Sequence, residues 1–298
     1  MAINFRDLPD QELIYGQKSC QGCGELLAAR LVMKIIGEKS VVACPAGCFA
    51  ATTSVYPDAS VFVNNTVTAF PALASTLAGM VTAGEALGLD PEITYLAIGG
   101  DGGTLDIGLQ ALSGAAERND NLIYICMDNE AYMNTGVQRS GATPYGASTT
   151  TTPAGKVSKG CDNKFKKSLF EIMAAHRIPY VATASVADPR DLMEKVAKAK
   201  ALKGCKVIQV FAPCPTGWGY KPEETIEIAK LALDTGLWFL GECVNGEDFT
   251  IKKPKEFKPV KEYLSKQKRF RHLGEEDYEL IEKYREEDWA HLERLMAR

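Results

Sequence analysis

Short apolar runs alternate with helical patterns along most of the chain from about residue 40 onward. The runs are continuous rather than alternating, and turn-forming residues bound them, which is typical of fully buried strands. They predict strands over 40–44, 93–98, 122–127, 180–183 and 207–211. Apolar residues at helical spacing predict helices over 69–87, 105–117, 166–176, 189–201 and 223–235. Buried strands separated by helices indicate an α/β fold with a doubly wound parallel sheet.

Two stretches fall outside this alternation. Residues 133–161 lack hydrophobic periodicity, and so long a loop in a compact domain is usually functional or mobile. Residues 246–298 are rich in charge, with bases over 252–271 and acids over 275–287. A helix is predicted from Glu276 to the C-terminus, and the whole stretch is interpreted as a solvated arm that packs on the same or a neighbouring subunit.

Length and charge limit the class of protein. A chain of 298 residues can bury a sizeable core. It is divided into an N-terminal segment, an α/β domain that forms one compact unit with it, and a charged helical arm: residues 1–60, 61–245 and 246–298. A net charge of −4 argues against nucleic acid as a partner. No run approaches the roughly 18 apolar residues of a membrane span, and no signal peptide is evident, so a cytoplasmic location without membrane contact is expected.

A glycine-rich turn that carries one carboxylate follows the second predicted strand, over Gly99–Gly103. A second polar segment follows the third strand and places Asn129 beyond its end. Glycines let the backbone approach phosphate closely, and the oxygens of Asp101, Asn129 and a nearby backbone carbonyl suit Mg²⁺. Because ligands of parallel sheets bind at the carboxyl ends of strands, both segments face one crevice. The pattern predicts a Mg²⁺–diphosphate site.

Nine cysteines are many for a chain without an export signal, and their odd number argues against a disulfide scaffold. Four of them lie among glycines and prolines that fit backbone wrapped closely around a cofactor: Cys20, Cys23, Cys48 and Cys214. Four thiolates suit either tetrahedral Zn²⁺ or a [4Fe–4S] cluster, and spacing does not choose between them. A thiol redox pair, or no special role, remains an alternative.

The other five cysteines have no assigned role: Cys44, Cys126, Cys161, Cys205 and Cys243. Cys44 is the main rival of Cys48, but its place at the end of an apolar run favours core packing. Cys126 lies in a predicted buried strand and is interpreted as a small apolar residue. Cys161 lies in the long loop, where a surface position or sensitivity to oxidation is expected.

Six stretches, taken together and in order, resemble the β subunit of the 2-oxoacid:ferredoxin oxidoreductases. The resemblance is strongest to the pyruvate:ferredoxin oxidoreductase (pyruvate synthase) branch. The stretches span about two-thirds of the chain: Cys20–Glu25, Gly47–Cys48, Gly99–Gly103, Asp128–Gln138, Thr143–Gly146 and Ala212–Trp218. Each stretch alone is a weak signal, whereas the ordered set is specific.

The resemblance implies a sheet of the thiamine diphosphate (ThDP) binding type. The implied reaction is the oxidative decarboxylation of pyruvate to acetyl-CoA and CO₂, with electrons passed through a [4Fe–4S] cluster to ferredoxin. The implied cluster ligands are Cys20, Cys23, Cys48 and Cys214. The implied Mg²⁺ ligands are Asp101, Asn129 and the carbonyl of Ala131. Asn134 would lie near the thiazolium and substrate as a catalytic residue, and further cofactor contacts would come from Gly47, Gly100, Gly102 and Gly103.

Partners are implied as well. An α subunit would supply the glutamate that activates ThDP, and a ferredoxin-like subunit and a γ-type subunit or domain would complete a hetero-oligomer of anaerobic metabolism. CoA would capture the acyl group, and ferredoxin would accept electrons. A second ThDP-type domain and a ferredoxin-like run of cysteines are not found in the sequence, so the chain alone is expected to be inactive.

Residues 64–71 differ from the acidic segment expected in many pyruvate enzymes, which leaves the 2-oxoacid open. An oxalate oxidoreductase β subunit, which would convert oxalate to CO₂ without CoA, is therefore an alternative. Two alternatives of other kinds replace the cluster with zinc. One is a non-redox ThDP decarboxylase subunit, and the other is a non-catalytic, zinc-stabilised α/β binding module.

Overall fold

The computed structural model describes residues 8–57, 59–162 and 165–297. Within these ranges one sheet is formed by eight strands: β1 Ser40–Pro45, β2 Asn64–Thr68, β3 Thr94–Gly100, β4 Ile123–Asp128, β5 Tyr180–Ser185, β6 Lys206–Phe211, β7 Leu240–Val244 and β8 Asp248–Lys252. Their order across the sheet is β2-β1-β3-β4-β6-β5-β7-β8. The first six strands pair in parallel, and β7 and β8 add an antiparallel edge.

Helices cover both faces of this sheet. Those described are α1 Gly24–Ile36, α2 Cys48–Thr53, α3 Leu73–Ala86, α4 Leu109–Glu117, α5 Leu169–Ala174, α6 Pro189–Ala201, α7 Pro215–Trp218, α8 Thr225–Asp234, α9 Val260–Leu264 and α10 Glu275–Met296. One core contains α1, α6 and α8, and the other contains α3, α4, α5 and α10. Strands β4, β5 and β6 are buried along their whole length because helices cover both faces. The predicted doubly wound α/β fold is confirmed.

The sheet brings four strand ends together at one edge. Neighbouring strands β1, β3, β4 and β6 are followed, within three residues of their ends, by Cys48, Asp101, Asn129 and Cys214. The chain leaves β1 for β2 on one side and then crosses back to β3 on the other, which makes a topological switch point. In open α/β sheets ligands bind in the crevice at such a point.

Several element boundaries differ from the prediction. The helix expected over 105–117 is preceded by a π-helical turn, Gly103–Ile107. The helix expected over 166–176 shortens to α5, because the Ser168 side chain caps its first turn by accepting the N–H of Glu171. The boundary at residue 246 falls in the β7–β8 turn, so the first residues of the proposed arm belong to the sheet. Sequence patterns also missed seven of the described helices and strands: α1, α2, α7, α9, β2, β7 and β8.

The long segment 133–161 is irregular but packed. Ser140, Ala142 and Thr143 are fully buried. The hydroxyl of Thr143 donates to the Glu130 carbonyl at 2.7 Å, which shows how side chains satisfy the backbone where regular structure is missing. The segment therefore forms part of the wall behind the strand ends. Among the residues described, no helix combines the length and apolar character that a membrane crossing requires.

Candidate active site

A cavity lies at the carboxyl ends of the central strands. It is lined by all eight residues predicted to contact the cofactor: Gly47, Gly100, Asp101, Gly102, Gly103, Asn129, Ala131 and Asn134. Cys48 and Glu25 line it too. Phe70 is the one residue of the segment 64–71 among its lining residues. Residues that are far apart in the chain thus meet because parallel strands end at one edge.

Three oxygens meet in this cavity at the spacing of a magnesium coordination sphere. One end of the Asn129 amide lies 3.0 Å from Oδ1 of Asp101 and 2.8 Å from the carbonyl oxygen of Ala131. Mg²⁺ holds octahedral ligands at about 2.0–2.1 Å, so adjacent ligand oxygens lie about 2.9 Å apart. With the amide oxygen at that end, the three oxygens fit Mg²⁺. With the amide nitrogen at that end, Asn129 donates hydrogen bonds to both oxygens, and these three groups satisfy one another without a cation.

The electrostatics of Asp101 also fit a cation. Its carboxylate is buried and accepts a hydrogen bond from the Ser140 hydroxyl at 2.5 Å. Burial, followed by the nearby carboxylate of Asp128, raises the pKa of Asp101 well above its usual value. A divalent cation favours the ionised form of Asp101, and it therefore opposes the rise in pKa that burial and Asp128 cause.

Gly100 leaves room for a ligand in this turn. A Cβ atom built on Gly100 would meet nothing within 4 Å. The backbone does not adopt a left-handed conformation here, so neither packing nor φ requires glycine. The open space adjoins the three oxygens and suits close approach of a diphosphate to the backbone. The residues present therefore fit a Mg²⁺–diphosphate group.

The four predicted cluster ligands share one neighbourhood beside this cavity. The pKa of the Cys48 thiol is raised by burial, by Glu25, and by the charges of Cys214, Cys23 and Cys20. The four thiols therefore lie within electrostatic reach of one another. The thiols come from three separate places in the chain, and only Cys20 of the four is exposed.

Backbone contacts dock the Cys20–Cys23 turn on the segment that carries Cys214. The N–H of Gly24 donates to the Pro213 carbonyl at 3.2 Å. Gly22 has φ +70°, and a Cβ atom there would lie 2.2 Å from the carbonyl oxygen of Pro222, so the turn accepts only glycine.

Burial, and then Glu25, raises the pKa of the Cys23 thiol to about 12. Burial also raises the pKa of Cys214, whereas the N–H of Gly217, 3.3 Å from its sulfur, lowers it. N–H groups aimed at sulfur are a feature of iron–sulfur sites. Among the described side chains, no three His, Cys, Asp or Glu residues are placed to hold a single metal ion. A single zinc ion needs sulfurs about 2.3 Å from one point, whereas a cluster spreads them further apart.

Sequence reasoning missed several residues of this site. Glu25 is buried at the cavity wall, and the Asn129 amide lies 3.4 Å from its carboxylate. Burial raises the pKa of Glu25 to about 7. Its place directly after the CxxC motif was the available signal. Ser140, which binds Asp101, carried no local signal, because it lies in the aperiodic segment.

The remaining cysteines are not among the residues that line the cavity. Cys44 and Cys126 are fully buried, as their apolar runs predict. The expectation of a surface position for Cys161 is wrong, because its side chain is 2% exposed and packs under the irregular segment. Cys205 and Cys243 are also fully buried. A second, mostly apolar cavity lies under α10 and contains none of the predicted site residues.

Comparisons with known proteins agree with this geometry. Residues 43–210 match the thiamine pyrophosphate enzyme family, C-terminal TPP binding domain. The chain is 51% identical over 278 residues to pyruvate synthase subunit PorB of Methanocaldococcus jannaschii, covering 91% of this chain and 93% of that protein. It is 45% identical over 296 residues to ketoisovalerate oxidoreductase subunit VorB of Pyrococcus abyssi, covering 97% and 94%.

A solved structure supports the fold. A chain of 2-oxoglutarate:ferredoxin oxidoreductase from Magnetococcus marinus aligns with a TM-score of 0.58 and 23% identity, covering 72% of each chain. The family match covers the turns after β1, β3 and β4, and the relatives extend it over nearly the whole chain. The resemblance drawn from the ordered motifs is confirmed, and the chain belongs to the β subunits of the 2-oxoacid:ferredoxin oxidoreductases.

Proposed function

We propose that this chain is the β subunit of a pyruvate:ferredoxin oxidoreductase that binds the diphosphate end of ThDP through Mg²⁺ and carries a [4Fe–4S] cluster beside it. One observation carries the proposal. The three convergent oxygens and Cys48 line the same cavity, with the other three thiols adjoining it. The relatives named as pyruvate synthase subunits support pyruvate as the substrate.

Each residue of the cavity has a role in this proposal. Asp101, Asn129 and the carbonyl of Ala131 hold Mg²⁺ and so orient the diphosphate, and Gly100 leaves space for it. N–H groups at the start of the helical segment after β3 face the phosphates. Asn134 is exposed at the cavity rim, where it can contact the reacting end of the cofactor and the substrate.

The cofactors supply the chemistry. When bound, ThDP would supply stabilisation of the negative charge that develops as a 2-oxoacid loses CO₂, and a cluster would supply one-electron acceptance. Overall, pyruvate and CoA give acetyl-CoA, CO₂ and a proton, while two ferredoxins are each reduced by one electron. The protein's part is to hold Mg²⁺, the diphosphate and the sulfurs of Cys20, Cys23, Cys48 and Cys214 in fixed positions.

The proposal includes the missing parts of the enzyme. An α subunit supplies the activating glutamate, a ferredoxin-like subunit and a γ-type subunit or domain carry electrons onward and complete the complex, and CoA and ferredoxin are co-substrates. The chain alone is then inactive. The relatives are named as subunits of oxidoreductases, which supports a multi-subunit assembly for this chain.

A substrate panel on the anaerobically assembled complex tests this proposal. Ferredoxin reduction is measured with pyruvate, 2-ketoisovalerate, 2-oxoglutarate and oxalate, each with and without CoA. We expect pyruvate to give the highest kcat/KM and to require CoA. A higher value for 2-ketoisovalerate, the acid in the name of the Pyrococcus abyssi relative, would replace pyruvate. CoA-independent oxidation of oxalate as the best reaction would establish the oxalate alternative.

The visible spectrum tests the cluster separately. The anaerobic protein should show a broad absorption band near the blue region that bleaches with dithionite. A colourless protein that carries zinc would contradict the cluster and restore the zinc alternatives.

A further inference from the structure

A closed ring of contacts joins the cation-binding loop to the Cys214 loop through the C-terminal region. The indole Nε1 of Trp218 donates to the carbonyl of Asn129 at 2.8 Å. The guanidinium carbon of Arg269 lies 3.8 Å from the centre of the Trp218 ring. Nη2 of Arg269 donates to the Glu130 carboxylate at 2.5 Å, and Glu130 directly follows Asn129. One arginine from the charged arm therefore contacts both loops of the candidate site.

Stability alone is a weak explanation for this ring. The side chains of Trp218, Glu130 and Arg269 are buried, with 0%, 4% and 7% exposure. Taking an ion pair out of water costs desolvation energy that its attraction often fails to repay. Arg269 is nevertheless fixed further, because its Nε donates to Gln267 at 2.9 Å. A buried and fully held arginine at this place suits a role in positioning its neighbours.

Glu130 adopts a backbone conformation that serves the cation oxygens. Its φ of +66° lies in the left-handed region, which is uncommon for residues other than glycine. This turn directs the Asn129 amide and the Ala131 carbonyl to the same point beside Asp101. Three further contacts hold it: its N–H donates to Asp128 at 3.0 Å, its carbonyl accepts from Thr143 at 2.7 Å, and its second carboxylate oxygen binds Lys166 at 2.6 Å.

We propose that Arg269 is a positioning residue for the cation site: by binding Glu130 and stacking on Trp218, it holds Asn129 and Ala131 in the geometry that Mg²⁺ requires. The charged arm is then part of the active site rather than a solvated appendage. This inference rests on the proposed function, because it assumes that the three oxygens bind Mg²⁺. Partners that orient metal ligands typically change metal affinity 10–100-fold when they are removed.

Mn²⁺ replaces Mg²⁺ as the probe in the ThDP-loaded complex, and its binding is followed by the electron paramagnetic resonance signal of free Mn²⁺ without substrate. We expect Arg269→Met and Glu130→Gln each to weaken Mn²⁺ binding about 10–100-fold. The double variant should be little worse than either single variant, because both remove one interaction. The Mn²⁺ affinity of Arg269→Lys should fall between those of the wild type and Arg269→Met, since lysine keeps the charge but loses the planar fork and the stacking.

The control is Arg285→Met. Arg285 is another buried arginine of the arm, 8% exposed, and its guanidinium packs over Phe257 and contacts the Lys258 carbonyl at 3.4 Å. Its loss should lower the unfolding temperature but leave Mn²⁺ binding within about twofold. Equal weakening of Mn²⁺ binding in this control would overturn the inference, because general loosening of the arm would then explain the effect.

The outcomes separate the inference from the proposed function. A wild-type complex without ThDP-dependent Mn²⁺ binding would contradict the cation site itself. A wild-type complex that binds Mn²⁺ while Arg269→Met stays within twofold would overturn only the positioning role. If Arg269→Met fails to assemble, Mn²⁺ binding is measured in Arg269→Lys and Glu130→Gln instead. Wild-type affinity for Mn²⁺ in both of these variants would overturn the inference.

Discussion

The two halves of the candidate site are built differently. In the oxygen half, one end of the Asn129 amide already lies 3.0 Å from Oδ1 of Asp101 and 2.8 Å from the carbonyl oxygen of Ala131. In the thiol half, four cysteines come from three separate segments, and burial raises the pKa values of Cys23, Cys48 and Cys214. Thiols in that state keep their protons until a metal group binds. The sheet therefore preorganises the oxygens, whereas buried thiols with raised pKa values must ionise before they can bind a metal group.

Strand spacing explains the difference. Strands β3 and β4 are neighbours, and Gly100 pairs with Met127, so the residues that follow them are adjacent. Cys48 and Cys214 follow β1 and β6, which are three strand spacings or roughly 14 Å apart. Only the loops after those strands bring the two sulfurs together. A site built on adjacent strand ends is rigid, and one built on loops depends on what it binds.

The largest expected effect is in the thiol half. Cys214→Ala removes one of four sulfurs, and we expect complete loss of the visible band of the cluster in anaerobically prepared complex. Cys126→Ala is the control, because Cys126 is equally a cysteine near the strand ends but is buried in the core. Retention of the band in Cys214→Ala, or its loss in Cys126→Ala, would reverse our ligand assignment.

A large effect is also expected from Asp101→Asn in the oxygen half. We expect Mg²⁺–ThDP binding to weaken by at least about 100-fold, beyond the usual loss for a residue that only orients a ligand. Without cofactor, the variant should unfold at the same or a higher temperature, because a buried carboxylate beside Asp128 is removed. Thermal unfolding with and without Mg²⁺–ThDP measures both effects, since only a complex that binds the ligand is stabilised by it.

Asp106→Asn is the matched control for that experiment. Asp106 lies in the π-helical turn that follows the glycine-rich turn, and it pairs with Lys167 at 2.7 Å. The Asp106→Asn variant should still show a rise in unfolding temperature when Mg²⁺–ThDP is added. A cofactor-induced shift of wild-type size in Asp101→Asn would show that the convergent oxygens do not bind the cation.

A smaller effect is expected from Gly100→Ala. The added methyl group enters open space, so stability should stay equal or rise by about 0.4–1 kcal/mol, as at a glycine without special φ. ThDP binding should weaken by about tenfold, or roughly 1.4 kcal/mol, because the methyl occupies the space of the diphosphate. Gly79→Ala is the control, because Gly79 lies in α3 and a Cβ atom there also enters open space. This variant should stabilise the chain without changing ThDP binding. Equal ThDP binding in the two variants would refute the diphosphate cradle.

Local patterns were more informative for the oxygen half than for the thiol half. Asp101 and Asn129 could be assigned to one crevice, because each directly follows a buried strand and parallel strands end together. Cys48 was preferred to Cys44 as a predicted cluster ligand because Cys44 ends an apolar run. The burial of Cys44 agrees with its predicted place in the core. Spacing did not separate zinc from a cluster, because both use four cysteines and differ in how far apart the sulfurs lie.

The long segment and the arm were predicted least well. Cys161 was expected at the surface because its neighbours show no periodicity, yet hydrogen bonds by hydroxyl side chains let that segment fold into the interior. The charge of residues 246–298 suggested a solvated arm, but Arg269 turns inward to a buried partner. Burial of a charge depends on its partner, which a run of charged residues does not reveal.

The order of residues along the chain was enough to establish the fold class, the family and the strand ends that carry the site, because these depend on short-range patterns and motif order. The folded chain alone decided what surrounds those residues. Glu25 meets Asn129 across 104 positions of sequence, and Arg269 meets Glu130 across 139. Such contacts form when separate segments pack on one sheet edge, and neither partner's local sequence specifies the other. That is why the oxygens of the site could be predicted while the residues that hold them in place could not.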